Sequence, residues 1–252
     1  MSGAGGLVAI TRPAEQAASL AALLEAKGIG SLVVPAIRRE PPSSWAGLDR
    51  GIALLGRGTY AGVLFTSPAA VEAFFSRGRV TGEPVIGAVG QGTAAALERH
   101  GVRAAIVPDE GNGSGLAGAL IDRYGARLHG MRFLQPRAAG GREELSRELL
   151  AAGAAVDVVD AYRTVLASAA ELDPLRRALE AGSVGAVIYA SPSAVRAVAE
   201  AIGSPGEVPA VAIGGTTAVA LQAWGAREVV VAERPDDEAL AAAAALALRR
   251  NG

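Results

Sequence analysis

The chain repeats itself. Residues 60–107 align without a gap on residues 184–231, at an offset of 124, and seventeen of those 48 positions are identical. Five of the identities are alanine pairs, which an alanine-rich chain produces cheaply. The other twelve include Ser67-Pro68 with Ser191-Pro192, Gly90 with Gly214, Thr93 with Thr217, Leu97 with Leu221 and Gly101 with Gly225. A register held that long marks a duplicated unit. Each copy reads as an apolar strand, a Ser-Pro turn, a helix, a second apolar strand, a Gly/Thr turn, a helix closed by glycine, and a third strand. Val63-Leu64-Phe65 and Val187-Ile188-Tyr189 are apolar without interruption, as expected of parallel strands covered on both faces. Pro68 and Pro192 fall where a first helical residue has no use for an N–H, and Gly101 and Gly225 suit left-handed helix ends.

A weaker echo relates residues 7–38 to 131–163. Leu7-Val8-Ala9-Ile10 matches Met131-Arg132-Phe133-Leu134, and Gly28 and Arg38 match Gly153 and Arg163 after one inserted residue. The chain is thus a short βαβ unit and a longer α/β unit, then both again. From the residues alone two pairings remain open. Neighbouring units could pair, with a boundary near Gly125. Alternatively the first could pack on the last, so that the chain crosses between domains near residues 36–39 and 161–166. The segments VPAIRRE and VDAYRTV both alternate like extended strands and could pair as a hinge.

Composition narrows the function. With 252 residues the chain can hold one large or two small domains with real cores. A net charge of −1 supplies no field for nucleic acid, so the expected partner is a small molecule. Zero cysteines exclude disulfides, thiolate metal sites and a cysteine nucleophile, and two histidines leave few metal options. The opening MSGAGGLVAITRP lacks a basic region before its short apolar run and is not expected to be a signal peptide. The alanine-rich stretch 239–248 is too short to span a bilayer, which points to the cytoplasm and no membrane partner.

Ligands of open parallel sheets bind beyond the carboxyl ends of the strands, and the candidate residues lie there. Thr11-Arg12-Pro13 follows the first strand, with Thr11 expected to cap the next helix and Arg12 able to grip a carboxylate. Thr66-Ser67-Pro68 and Ala190-Ser191-Pro192-Ser193 present hydroxyls and free amides at equivalent turns. Gly90-Gln91-Gly92-Thr93-Ala94-Ala95 resembles a dinucleotide fingerprint, but its repeat copy has Thr216 where the second glycine must admit a pyrophosphate. A turn aimed at an anion fits both copies better. Gly111-Asn112-Gly113-Ser114-Gly115 lacks the Lys-Ser/Thr of a P-loop and is expected to be a mobile turn with Ser114 capping a helix from Leu116. Arg137 and Arg142 are expected just after the strand Phe133-Leu134-Gln135, as carboxylate ligands. His100 and His129 have no triad partner and read as structural. Tyr162, in the proposed hinge strand, is expected to face the gap between domains as a proton donor.

The motifs TRP after the first strand, FTSPAAVEAF, AVGQGTAAAL, VVDAYRT, ASPSAV and AIGGTTAVAL, in this order and spacing over nearly the whole chain, resemble the uroporphyrinogen-III synthase family. The resemblance implies an α/β protein of two similar domains, each a parallel sheet flanked by helices in flavodoxin-like or Rossmann-like manner, joined by a two-stranded linker. Domain 1 would comprise 1–36 and 167–252, domain 2 would comprise 39–160, and the linker 37–38 and 161–166. It implies a monomer that dehydrates and cyclises the linear tetrapyrrole hydroxymethylbilane, inverting the last ring through a spirocyclic intermediate. No cofactor or metal would be used, and the only protein contact implied is a transient one with hydroxymethylbilane synthase. Residue by residue, Tyr162 matches the tyrosine that assists hydroxyl departure, and Thr216 and Thr217 match the threonine pair beside it, with Thr217 assigned to catalysis. Thr11, Arg12, Thr66, Ser67, Gly90, Thr93, Arg137, Arg142, Ser191, Ser193, Gly214 and Thr216 are expected to hold substrate. Some relatives carry a basic residue where this chain has Ala69 and Pro209, so no carboxylate contact carries over there. Two other readings share some of these features: a two-domain binder of a small polyanion without chemistry, and a nucleotide-dependent oxidoreductase resting on the Gly90 turn alone.

Overall fold

The computed structural model describes residues 6–251, so the first five residues of the opening stretch, on which the signal-peptide expectation partly rests, lie outside the described residues. Along the chain run β1 (Leu7–Ile10), α1 (Ala14–Ala26), β2 (Ser31–Val33) and β3 (Ile37–Glu40). There follow α2 (Ala46–Gly56), β4 (Gly62–Phe65), α3 (Pro68–Arg77), β5 (Val85–Ala88), α4 (Gln91–Arg99) and α5 (Gly113–Tyr124). After a short 3-10 turn come β6 (Arg132–Ala138), α6 (Glu144–Ala151), β7 (Ala155–Leu166) and α7 (Ala169–Glu180). The last elements are β8 (Val184–Tyr189), α8 (Pro192–Ile202), β9 (Ala210–Ala212), α9 (Gly215–Trp224), β10 (Val229–Val231) and α10 (Asp237–Asn251).

Two compact units result. One takes the chain as far as Arg39 and resumes at Val165; the other is Glu40–Thr164. The first holds a sheet in the order β10-β9-β8-β1-β2, with every one of these neighbours paired in parallel. Read in chain order this is the 2-1-3-4-5 arrangement of flavodoxin-like folds. The second sheet has the order β3-β7-β6-β4-β5, and β7-β6-β4-β5 is parallel throughout. Next to β5, a single parallel bridge from Gly87 to Ile106 stands where the first sheet has β10. The duplication seen in the sequence is therefore a duplication of spatial strand order, with β3 added beside β7.

The inner strands serve two cores, because successive side chains point to opposite faces. In the first unit Ala9, Val187 and Tyr189 join α7, α8 and α9, whereas Val8, Ile10, Ala186 and Ile188 join α1 and α10. In the second, Val63, Phe65 and Leu134 pack with α2, α3 and α4, while Leu64 and Phe133 pack with α5 and α6. Phe65 and Phe74 meet edge to face at 5.4 Å between ring centres, a geometry that aromatic quadrupoles favour. With both faces covered, a polar side chain inside the sheets is costly unless paired. Among the described residues the buried polar side chains are Thr11, Thr93, Gln135 and Thr217. They form two pairs at the offset of 124: Thr11 just beyond β1 with Gln135 inside β6, and Thr93 with Thr217 on the first turns of α4 and α9.

Several carboxylates are held by specific donors. Burial works against the charge of Asp157, yet hydrogen bonds from Tyr60 and Arg132 hold its carboxyl below the ordinary range. Burial and the same carboxylate push Tyr60 up to about 12. The amide and hydroxyl of Ser168, in the capping box of α7, keep Glu171 low, and the Ala239 amide with Arg234 does so for Asp236. A carboxylate with a depressed folded pKa stabilises the protein above its unfolded value, and that contribution disappears as pH falls through the folded value. The thermal midpoint is therefore expected to change little between about pH 7 and 5 and to drop below about pH 4. A midpoint unchanged down to about pH 2 would contradict these pairings.

Candidate functional site

In the second unit β4 and β6 are neighbours, but the helices that follow them, α3 and α6, lie on opposite faces of the sheet. That makes the gap beyond their carboxyl ends a topological switch point, where open α/β sheets bind ligands. A pocket of about 530 Å³ lies there, lined by Thr66, Ser67, Asn112, Gln135, Arg142 and Tyr162 among others. Local sequence builds its rim. Ser67 is the N-cap of α3, accepting from the Ala70 amide at 3.2 Å, with Pro68 in the first helical position. Gly111, at φ +62°, turns the chain so that Asn112 caps α5 by accepting from the Gly115 amide at 2.9 Å. The N-cap of α3 and the first turns of α5 and α6 contribute to the lining, which favours anionic groups at this end of the sheet.

Tyr162 enters through a β-bulge. Arg137 pairs with Asp160 but Ala138 pairs with Tyr162, so Ala161 is the extra residue. The shift places the half-buried phenol on the pocket, with its oxygen 3.1 Å from Ser67 Oγ. Arg137 ties down the loop that follows β6, donating from one terminal nitrogen to the carbonyls of Gly141 (2.9 Å) and Arg142 (2.6 Å). Arg142 is exposed, lines the pocket and makes no ion pair with any described residue, so its guanidinium is available to a carboxylate. Gly90 and Thr93 open α4 next to the lining residue Val89, and Thr93 is buried.

The first unit has the corresponding switch point between β1 and β8, whose helices α1 and α8 also lie on opposite faces. Ser191 caps α8 by accepting from the Ala194 amide at 3.2 Å, with half-buried Ser193 two residues on. Gly214 caps α9, Thr216 is exposed on its first turn, and Thr217 is 2% exposed. Arg12 follows β1, but its guanidinium pairs with Asp237 at the start of α10 and its side chain is only 11% exposed. A carboxylate ligand would have to compete with Asp237.

Three local expectations are corrected. Thr11 does not cap α1: it is wholly buried, and its hydroxyl donates to the Ile188 carbonyl at 2.7 Å, because the neighbouring strand offers an acceptor nearer than the helix. Helix α1 instead begins after Pro13 without a side-chain cap. Ser114 does not cap α5; Asn112 does, which frees Ser114 Oγ to donate to Glu148 at 2.7 Å. Arg137 lies within β6, not after it, since β7 pairs with β6 as far as Ala138. Gln135 was not singled out from the sequence. The echo between the short units, carried one residue beyond Ile10 and Leu134, places it on Thr11, and that match was the available signal. Among the described residues no cluster of three His, Cys, Asp or Glu side chains could hold a metal ion, and no helix is long and apolar enough to cross a membrane.

The fold and these groups define a duplicated parallel α/β protein with hydroxyls, amides and helix starts gathered at the strand carboxyl ends of both units. The family model of uroporphyrinogen-III synthase HemD matches residues 18–242. The chain belongs to that family. It is 33% identical over 167 residues to the uroporphyrinogen-III synthase of Synechococcus elongatus, covering 64% of this chain and 61% of that one. To the uroporphyrinogen-III synthase of Chlorobaculum parvum it is 28% identical over 253 residues, covering 96% and 99%. The crystal structure of a mutant uroporphyrinogen III synthase from Thermus thermophilus shares the fold, with a TM-score of 0.65 at 21% identity over 97% of this chain and 99% of that one. Neither the oxidoreductase nor the binding-protein reading is favoured by this membership.

The two capping serines yield a matched prediction. Ser67→Ala and Ser191→Ala each remove one side-chain cap of the same geometry and should each cost about 1 kcal/mol in denaturant unfolding. A cost near zero at either position would show that the cap bond contributes nothing there.

Proposed function

We propose that the chain is a cyclising lyase that converts hydroxymethylbilane to uroporphyrinogen III, with Tyr162 as the weak acid at the departing hydroxyl. Membership of the family supports the reaction, and the contact of the Tyr162 phenol with Ser67 at the pocket supports the assignment of the acid. Ser67 Oγ already accepts from the Ala70 amide. Its own proton can therefore be donated to the phenol oxygen, which holds the phenol at the pocket.

The chemistry asks little more of the protein. Electrons of the terminal pyrrole nitrogen expel the hydroxyl, which takes the phenol proton and leaves as water; the azafulvene carbon then bonds to the substituted α carbon of the last ring to give the spirocyclic intermediate. The bond from that carbon to its old bridging methylene breaks to leave an azafulvene on the third ring, and the free α carbon of the turned ring bonds to that methylene and closes the macrocycle. The proton released when the rings regain aromaticity returns to the phenol. Selection of the substituted carbon over the nearer free one is a matter of how the chain is held. We assign that holding to the helix starts, to Thr66, Ser67, Arg142, Ser191, Ser193, Gly214 and Thr216, and to Gly90 and Thr93 through their turn. Each offers a hydroxyl, an amide or a guanidinium to the substrate carboxylates without a global positive field. Thr217 is assigned to catalysis with Tyr162, through its hydroxyl on the first turn of α9. On this reading the protein is a cytoplasmic monomer that uses no cofactor or metal and receives its substrate from hydroxymethylbilane synthase.

The test is a coupled assay in which hydroxymethylbilane is made enzymatically and the type I and type III uroporphyrinogens are separated after oxidation. Type III product from the wild-type protein supports the reading, and type I alone, the outcome of spontaneous closure, would refute it. Tyr162→Phe should fold normally and lower kcat at least about 100-fold, the usual worth of a positioned acid. Near-normal type III formation would remove Tyr162 from the mechanism. Thr217→Ala should lower kcat/KM about tenfold, the equivalent of one hydrogen bond near 1.4 kcal/mol; unaltered kinetics would reduce Thr217 to packing.

A further inference from the structure

Gln135 is 1% exposed, lines the pocket of the second unit, and its Oε1 has no hydrogen-bond partner among the described residues. Two residues on, on the same face of β6, Arg137 also reaches the pocket with a buried Nε that has none. An orphaned buried polar atom is normally paired away or replaced by an apolar one, because it costs stability. Two side by side on one strand, one an acceptor and the other a donor, define the complement of a ligand that brings both an N–H and an oxygen acceptor. Inorganic anions bring only the second. A pyrrole ring with an acid arm brings both.

We propose that one pyrrole ring of the substrate seats in this pocket, its ring N–H donating to Gln135 Oε1 and one of its carboxylates accepting from Arg137 Nε. The proposal rests on the tetrapyrrole substrate assigned above and adds to it a ring-recognition residue. Its consequence is that the rings are sorted by N–H direction as well as by their acid arms. A ring turned over in the pocket would leave Gln135 unpaired again, so the seat fixes the orientation of one ring while the last one inverts. Thr11, the counterpart of Gln135 in the first unit, is wholly buried with its hydroxyl already bonded to the Ile188 carbonyl, and so presents no orphaned atom of this kind.

Gln135→Met keeps the length of the side chain and removes both polar atoms. If the amide is kept for the ligand, the variant should unfold at the same temperature as wild type or a few degrees higher, and KM for hydroxymethylbilane should rise about tenfold with kcat within about twofold. A lowered midpoint with unchanged KM would overturn the proposal and make Gln135 a packing residue. A second arm does not depend on turnover. The probes are a monopyrrole bearing one acetate and one propionate arm, and its N-methyl counterpart, each at millimolar concentration in a thermal-shift assay. The N–H form should raise the wild-type midpoint more than the N-methyl form, and the two should act alike on Gln135→Met. Equal shifts in wild type, or none, would overturn the proposal. Failure of wild type to form type III product would instead count against the proposed reaction, and the probe arm would still decide the pocket.

Discussion

Parallel strands covered on both faces leave a polar group few places to stand. The inner strands of both sheets alternate between two apolar cores, so a polar side chain there is costly unless it is paired or faces a ligand. Of the buried polar side chains, Thr11, Thr93 and Thr217 stand past the ends of strands, and Gln135 stands inside β6, where it lines the pocket. The functional chemistry follows from that constraint. Hydroxyls and helix starts are concentrated at one end of each sheet because nothing else can be there.

Duplication then divided the labour. Thr11 and Gln135 occupy equivalent positions, but the first satisfies itself on a neighbouring carbonyl while the second stays open to the pocket. Ser67 and Ser191 cap equivalent helices with the same 3.2 Å bond, yet among the described residues only Ser67 is hydrogen-bonded to a phenol. The phenol comes from β7, where the bulge at Ala161 sets Tyr162 opposite Ala138. Equal local structure thus carries unequal chemistry, and the inequality comes from what the next strand presents.

Much of this could be read from the residues. The offset of 124 found the equivalent strands, and the Ser-Pro pairs found two helix starts, because both signals are local and a cap is made within three residues. The extended pattern around Tyr162 also marked a strand. What escaped was set by neighbours distant in sequence. Thr11 turns to a carbonyl 177 residues away, and Arg12 to Asp237, 225 residues away. The bulge in β7 depends on its register with β6, which no periodicity reveals. Gln135 escaped because its distinguishing property is the absence of a partner.

The central claim is that ligand-holding groups stand only at the carboxyl ends of the two sheets. Amide hydrogen exchange, with and without the macrocyclic product, tests it most directly. Bound product should slow exchange at residues 67–70, 113–115 and 215–217 and leave residues 58–61 and 182–185, at the opposite strand ends, unchanged. Protection confined to the latter segments would contradict the account.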